Sequence, residues 1–185
     1  MLGYDHQKQH ISGQFNSELE TLKSDILAMG GLVEAQLTLA MAALLEKNSA
    51  KALEVIANDK LVNELERQID QECARILARR QPAASDLRLV LAVLKINLDL
   101  ERVGDEAAKI ARQAKVIVES SDSGSQFVQL RQLARPVIKT LRQALDALAR
   151  SDVALAVQIV REDASLDSLY AEAMQALIKH MKEAP

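Results

Sequence analysis

The chain has 185 residues, a net charge of −3 and 49% hydrophobic side chains, with two Phe, two Tyr and no Trp. Acidic and basic residues are interspersed, so there is no basic face for nucleic acid, and the few aromatics offer no stacking platform for a single strand. Abundant Ala, Leu, Gln, Glu, Arg and Lys with only six Gly and three Pro describe an all-α chain of one large or two small domains.

The opening MLGYDHQKQHISGQ has no apolar run and no cleavage pattern, so no secretory signal is expected. The first helix is expected over 13–47, with Phe15, Leu19, Leu22, Ile26, Met29, Val33 and Leu37 inward in steps of four and three. Gly30-Gly31 inside it costs helix stability and reads as a kink or a close helix contact. The longest mostly apolar stretch, Leu37 to Leu45, is less than half a membrane span. A soluble, cytoplasmic protein is expected.

The second helix is expected over 50–80, ending before Pro82. Its apolar stripe reads Val62, Leu65, Ile69, Cys73 and Ile76, and beside it run Asp59, Asn63, Glu66 and Asp70. Cys73, the sole cysteine, reads as a packed free thiol in a reducing compartment.

Ser85 is expected to cap the third helix, with Asp86 in its first turn and an end near Glu119. Here Leu87, Leu91, Leu94 and Leu98 set a four-three spacing that continues through Glu101 and Asp105 to Ala108. On that register the two acids lie on the core-facing stripe, where an ionised carboxylate costs several kcal/mol unless it is paired, hydrogen-bonded or metal-bound. Two helices thus bring five carboxylates and an amide toward one seam. A plainer reading puts the acids on helix flanks, neutralised by Arg67, Arg102 or Lys95.

Ser120 to Ser125 is the clear linker, dividing the chain into residues 13–120 and 121–185. The fourth helix, over 126–150, turns Leu130, Leu133, Val137, Leu141, Leu145 and Leu148 inward. Ser151 or Asp152 caps a fifth that runs to about Glu183. The halves repeat: Asp59, Asn63, Leu65 and Glu66 match Asp163, Asp167, Leu169 and Tyr170 at an offset of 104. The first half passes Pro82 into a third helix, whereas the second stops at Pro185. By this symmetry a sixth helix is missing, and the expected architecture is an antiparallel three-helix bundle followed by an incomplete, two-helix bundle. The apolar residues left uncovered, among them Leu133, Val137, Leu141, Leu148, Val160, Met174, Leu177 and Met181, predict a homodimer through the second half.

The segment 79–105 reads RRQPAASDLRLVLAVLKINLDLERVGD, with Arg80-Gln81-Pro82, Asp86-Leu87-Arg88, Lys95 and Asp99-Leu100-Glu101-Arg102 before Gly104-Asp105. Together with Asn63, Glu66, Ile69-Asp70 and Cys73, and with Met29-Gly30-Gly31-Leu32-Val33-Glu34, it resembles the signature of the PhoU family of phosphate-transport accessory proteins. The resemblance implies two consecutive three-helix bundles and polynuclear metal sites at paired E(D)-x-x-x-D motifs. Those motifs fall on Glu66/Asp70 and Glu101/Asp105, and on Asp163/Asp167 in the second half, with Asp59 and Asn63 as further candidates. Oxygen ligands favour Mg²⁺, Mn²⁺ or iron, with Zn²⁺ also accommodated. The resemblance also implies a cytoplasmic, non-enzymatic role. Such a protein would link the ATPase subunit of a phosphate ABC transporter to a sensor histidine kinase, repress the starvation response when phosphate is plentiful, and touch the membrane only through partners.

Two other readings compete. A di-metal carboxylate enzyme needs a His three residues after a Glu, and His6, His10 and His180 do not supply it. A metal-free helical adaptor remains the second.

Overall fold

The computed structural model describes residues 3–119 and 128–183, and the serine-rich linker lies outside them. The described residues form five helices: α1 (Gly3–Leu45), α2 (Ser49–Arg80), α3 (Ala84–Glu119), α4 (Val128–Arg150) and α5 (Val153–Glu183). The chain is all-α, as composition requires. α1 begins ten residues earlier than expected, reaching back across Gly13.

Two turns show how the repeat is built. After α1, Lys47 takes a left-handed φ of 52°, and the Asn48 N–H donates to the Ala43 carbonyl at 2.9 Å. After α4, Ser151 takes φ 53°, and the Asp152 N–H donates to the Ala147 carbonyl at 2.9 Å. This is the six-to-one closure that satisfies orphan carbonyls at a helix end. The next residue caps the following helix: Lys51 N–H donates to Asn48 Oδ1 at 3.1 Å, and Leu155 N–H to Asp152 Oδ1 at 2.9 Å. Every pair is separated by 104 positions, so the repeat extends to hydrogen bonds. Ser85 behaves differently. α3 already starts at Ala84, and the Ser85 hydroxyl reaches only its neighbour Asp86, at 3.4 Å, so it is not the cap.

The packing divides into two units that cut across the long helices. One unit takes the chain up to Val33 together with Asp59–Gly104; the other takes Glu34–Asn58 and the chain from Asp105 onward. In the first, Leu19, Leu22, Ile26, Met29 and Val33 of α1 are buried, as their spacing requires, along with Val62, Ile69, Cys73 and Ile76 of α2. Arg80 at the end of α2 grips Glu18 of α1 through two nitrogens at 2.6 and 2.9 Å. In the second unit α4 and α5 pack together, and Arg142 of α4 bonds Glu34 of α1 at 2.6 Å.

The register of α3 differs from its leucine spacing. Buried along it are Val90, Val93, Asn97, Leu100, Gly104, Ala107, Ala111 and Ala114, a four-three stripe displaced by one residue, or about 100° around the helix, while of the expected spacing Ala108 alone is fully buried. Leu91 and Leu98 are 45% and 48% exposed. Size explains the choice. A Cβ on Gly104 would lie 3.1 Å from Val62 Cγ1, so α2 and α3 approach too closely for leucine at the contact. The leucines stand on the flanks, and Glu101 and Asp105 stand beside them rather than in the core.

Residues Gly13–Leu45 of α1 are long and apolar enough to cross a membrane by length and composition, a wider stretch than the Leu37–Leu45 run suggests. Half of the apolar window is buried inside the fold, which is the mark of a core helix.

Candidate metal site

The site expected on α2 and α3 begins from helix periodicity. Carboxylates four residues apart share one face, which puts Glu66 beside Asp70 and Glu101 beside Asp105. Asp59, Asn63, Glu66, Glu101 and Asp105 are half-buried, while Asp70, Asp163 and Asp167 are exposed. One Asp59 carboxylate oxygen is shut off from solvent.

Two contacts fix how α3 lies against α2 in the first unit. Asn97 Nδ2 donates to the Glu66 backbone carbonyl at 2.9 Å, and Gly104 meets Val62. The helices are antiparallel, so Glu101 comes level with Asn63, between these two contacts. Asp105 falls in the other unit. Among the described residues, no three carboxylate, histidine or cysteine side chains converge to hold one ion. The donors stand as pairs on single helix faces, and pairs alone do not make the closed oxygen cage a tightly held cation requires.

Two of the three bases proposed as neutralising partners of the acids, Arg67 and Arg102, are engaged on the outer surface. Arg67 bonds Glu64 at 2.6 Å and also donates to its own helix at the Asn63 carbonyl, 3.2 Å away. Arg102 lies 3.7 Å from Asp99, the residue one turn before it. Such exposed pairs contribute little, about 0.3–0.5 kcal/mol each. Cys73 is fully buried, and burial, reinforced by the charges of Asp70 and Glu72, pushes its thiol up to about 11. It is protonated at neutral pH, the state of a thiol packed in an apolar core.

Sequence spacing missed two polar residues inside the fold. Asn97 is 2% exposed and pins α3 to α2 by its single bond, with its Oδ1 unpartnered in the protein. Gln36 is equally buried, and neither atom of its amide has a protein partner. The Asn97 signal was present: it continues the four-three spacing of Val90, Val93 and Leu100. Gln36 sits next to the Val33–Leu37 step and nothing in its neighbours announces it.

A second polar cleft, between α1 and α2 and about 450 Å³ in volume, is lined by Glu18, Asp25, Glu72 and Arg75 among others. Burial raises the Asp25 pKa, helped by the nearby Glu72 charge. Arg75 bonds Glu72 closely, and Arg80 holds Glu18 below its ordinary value, so two of the three acids have a base beside them.

Comparison with known proteins supplies what the geometry leaves open. The PhoU domain family matches residues 26–114 and again residues 130–185. The chain is 46% identical over its whole length to the phosphate-specific transport system accessory protein PhoU homolog of Pseudomonas aeruginosa, spanning 76% of that relative. It is 45% identical to the Escherichia coli K12 protein of that name across 95% of this chain and 72% of the other. The crystal structure of PhoU from Pseudomonas aeruginosa superposes with a TM-score of 0.89 at 47% identity, covering 92% of this chain and 82% of that one. The phosphate transport system regulatory protein PhoU from Streptococcus pneumoniae superposes at 0.82 with 30% identity, covering 92% and 80%.

Proposed function

The chain belongs to the PhoU family, and from that premise we propose that it is a cytoplasmic, non-enzymatic regulator coupling phosphate uptake to phosphate-starvation signalling. The observation that carries the reading is identity of 45–46% with phosphate-transport accessory proteins over nearly the entire chain. In this role it contacts the ATPase subunit of a phosphate ABC transporter and a sensor histidine kinase, and it damps the kinase when phosphate is plentiful. Protein contact rather than catalysis is its mode of action. The buried, protonated Cys73 and the helical surfaces rich in exposed leucine and charge are in keeping with that.

Deleting the gene should raise expression of a phosphate-responsive reporter in high-phosphate medium, and restoring it should return the reporter to its basal level. Unchanged expression in a host with no second copy of the gene would reject the role.

Cation binding is a separate part of the proposal. The pairs Glu66/Asp70 and Glu101/Asp105 would hold Mg²⁺, Mn²⁺, Zn²⁺ or iron with remaining positions filled by water, because hard cations keep water ligands readily. Asp163/Asp167 would act likewise but weakly, both being exposed. Titration of metal-free protein should raise the Tm, and replacing Glu101 by Gln with Asp105 by Asn should abolish the rise. A Tm indifferent to every one of these ions would leave a metal-free adaptor as the better description.

A further inference from the structure

The outer side of α3 carries a pattern with a heptad interval. Leu87-Arg88, Leu94-Lys95 and Glu101-Arg102 recur at that interval, and Leu91 and Leu98 stand between them. Leu87, Leu94 and Glu101 are half-buried, so the base after each, about 100° further round the helix, stands in solvent. Arg88, Leu91, Lys95, Leu98 and Arg102 are all exposed and succeed one another in steps of three and four. They make one stripe, base alternating with leucine, about 21 Å long at 1.5 Å per residue. It lies wholly within the first unit.

The chain does little to occupy this stripe. Among the described residues Arg88 and Lys95 meet no acid, and Arg102 has only Asp99, 3.7 Å away and itself open to solvent. Leu91 and Leu98 keep nearly half their surface, although the same helix buries Val90, Val93 and Leu100. The complement of such a stripe is a second helix, with acids facing the bases and apolar side chains facing the leucines. A lipid surface takes up a broad apolar face. The broad apolar face of α3 lies in the core, and Asp99 and Glu106 stand exposed near the bases. A second copy of the stripe would set base against base.

We propose that this stripe of α3 docks an amphipathic helix of a partner protein, about four turns long, whose Glu or Asp residues alternate with apolar ones at the same steps. For its purpose the inference rests on the regulatory reading, since it names the face through which the chain touches a signalling partner. Leu91 and Leu98 exclude water from the contact. Arg88, Lys95 and Arg102 set its register and speed the encounter.

The probe is a fluorescent peptide helix of about 20 residues with Glu and Leu alternating at that spacing. Titrated with the 185-residue chain at low salt, it should bind with a Kd of about 10–50 µM, and about tenfold more weakly at high salt. A peptide of the same composition in scrambled order should lose about tenfold. Arg88→Glu with Lys95→Glu, and separately Leu91→Ser with Leu98→Ser, should each cost about tenfold or more with unchanged helical circular dichroism. Arg131→Glu, an exposed base on α4, should change nothing. A peptide with Lys in place of Glu should recover binding to the charge-reversed pair. In the host, that pair should raise the phosphate-responsive reporter in high phosphate as gene deletion does. If deletion raises the reporter and the pair leaves it basal, the docking face falls and the regulatory role stands. If deletion has no effect, the regulatory role falls and the peptide titrations alone decide the face. Equal binding of the scrambled peptide, binding untouched by either double substitution, or binding to phosphatidylglycerol vesicles that the same substitutions abolish would each overturn the proposal.

Discussion

Val33 and Val137 hold equivalent places in the two repeats, yet one is fully buried and the other is 37% exposed. The same contrast recurs along the repeat. Ala40, Ala52 and Val55 are wholly buried, while Ala144 and Ala156 are exposed and Ile159 is half-buried. Local structure cannot be the cause, because the turns joining the paired helices share their left-handed residue, six-to-one bond and cap. The difference lies in the third helix. In the first repeat α3 contributes Ala107, Ala111 and Ala114, themselves fully buried, and the described residues contain no equivalent for α4 and α5. A helical hairpin specifies its turn alone but needs a third element to specify its core.

This contrast is broken most forcefully by truncating equivalent side chains. Ile26→Ala should cost about 2–5 kcal/mol, the range for emptying a closed core site. Leu130→Ala at the matching position should cost less than about 1 kcal/mol, since that side chain is 39% exposed. Urea unfolding of the two variants measures both, and equal losses would mean the hairpin core is closed after all.

Two glycines sharpen the comparison next. Gly104→Leu should destabilise by about 1–3 kcal/mol, because the new side chain drives into the buried, stiff Val62. Gly31→Ala should stabilise by about 0.5–1 kcal/mol, since its Cβ would meet nothing within 4 Å and alanine favours the helix. Thermal melts of opposite sign are expected.

The two caps should behave alike. Asn48→Ala and Asp152→Ala each remove an N-cap bond worth about 1 kcal/mol. Nearly equal losses in urea unfolding would confirm that the turns are local units, and a much larger loss at Asn48 would show that tertiary packing depends on its turn.

The smallest effect concerns Glu18. The bond from Arg80 depresses its carboxyl below the ordinary value of 4.5, so the ionised form stabilises the fold above that pH. That contribution is lost as pH falls through the depressed value. Glu18→Gln should lower the Tm slightly at pH 7, and the difference from the parent should shrink in acid. A difference that is constant with pH would assign the loss to packing rather than charge.

Periodicity, caps and turn chemistry are local properties, and they were legible in the sequence. The five helices, the inward stripe of α1 from Leu19 to Leu37, the apolar stripe of α2 and the Asp152 cap all follow from side chains three or four residues apart. The family signature over residues 79–105 was legible for the same reason, as residues in fixed order on one helix and its approach. The register of α3 was not. Hydropathy ranks Leu91, Leu94 and Leu98 above Gly104, Ala107 and Ala111, and so it chooses the wrong stripe. The separation of α2 and α3 decides instead, and at 3.1 Å from Val62 only small side chains fit. That one rotation moves Glu101 and Asp105 from core to flank and changes the chemistry expected of them. Which face of a helix is buried depends on the volume its neighbours leave, and that volume exists only once the helices have met.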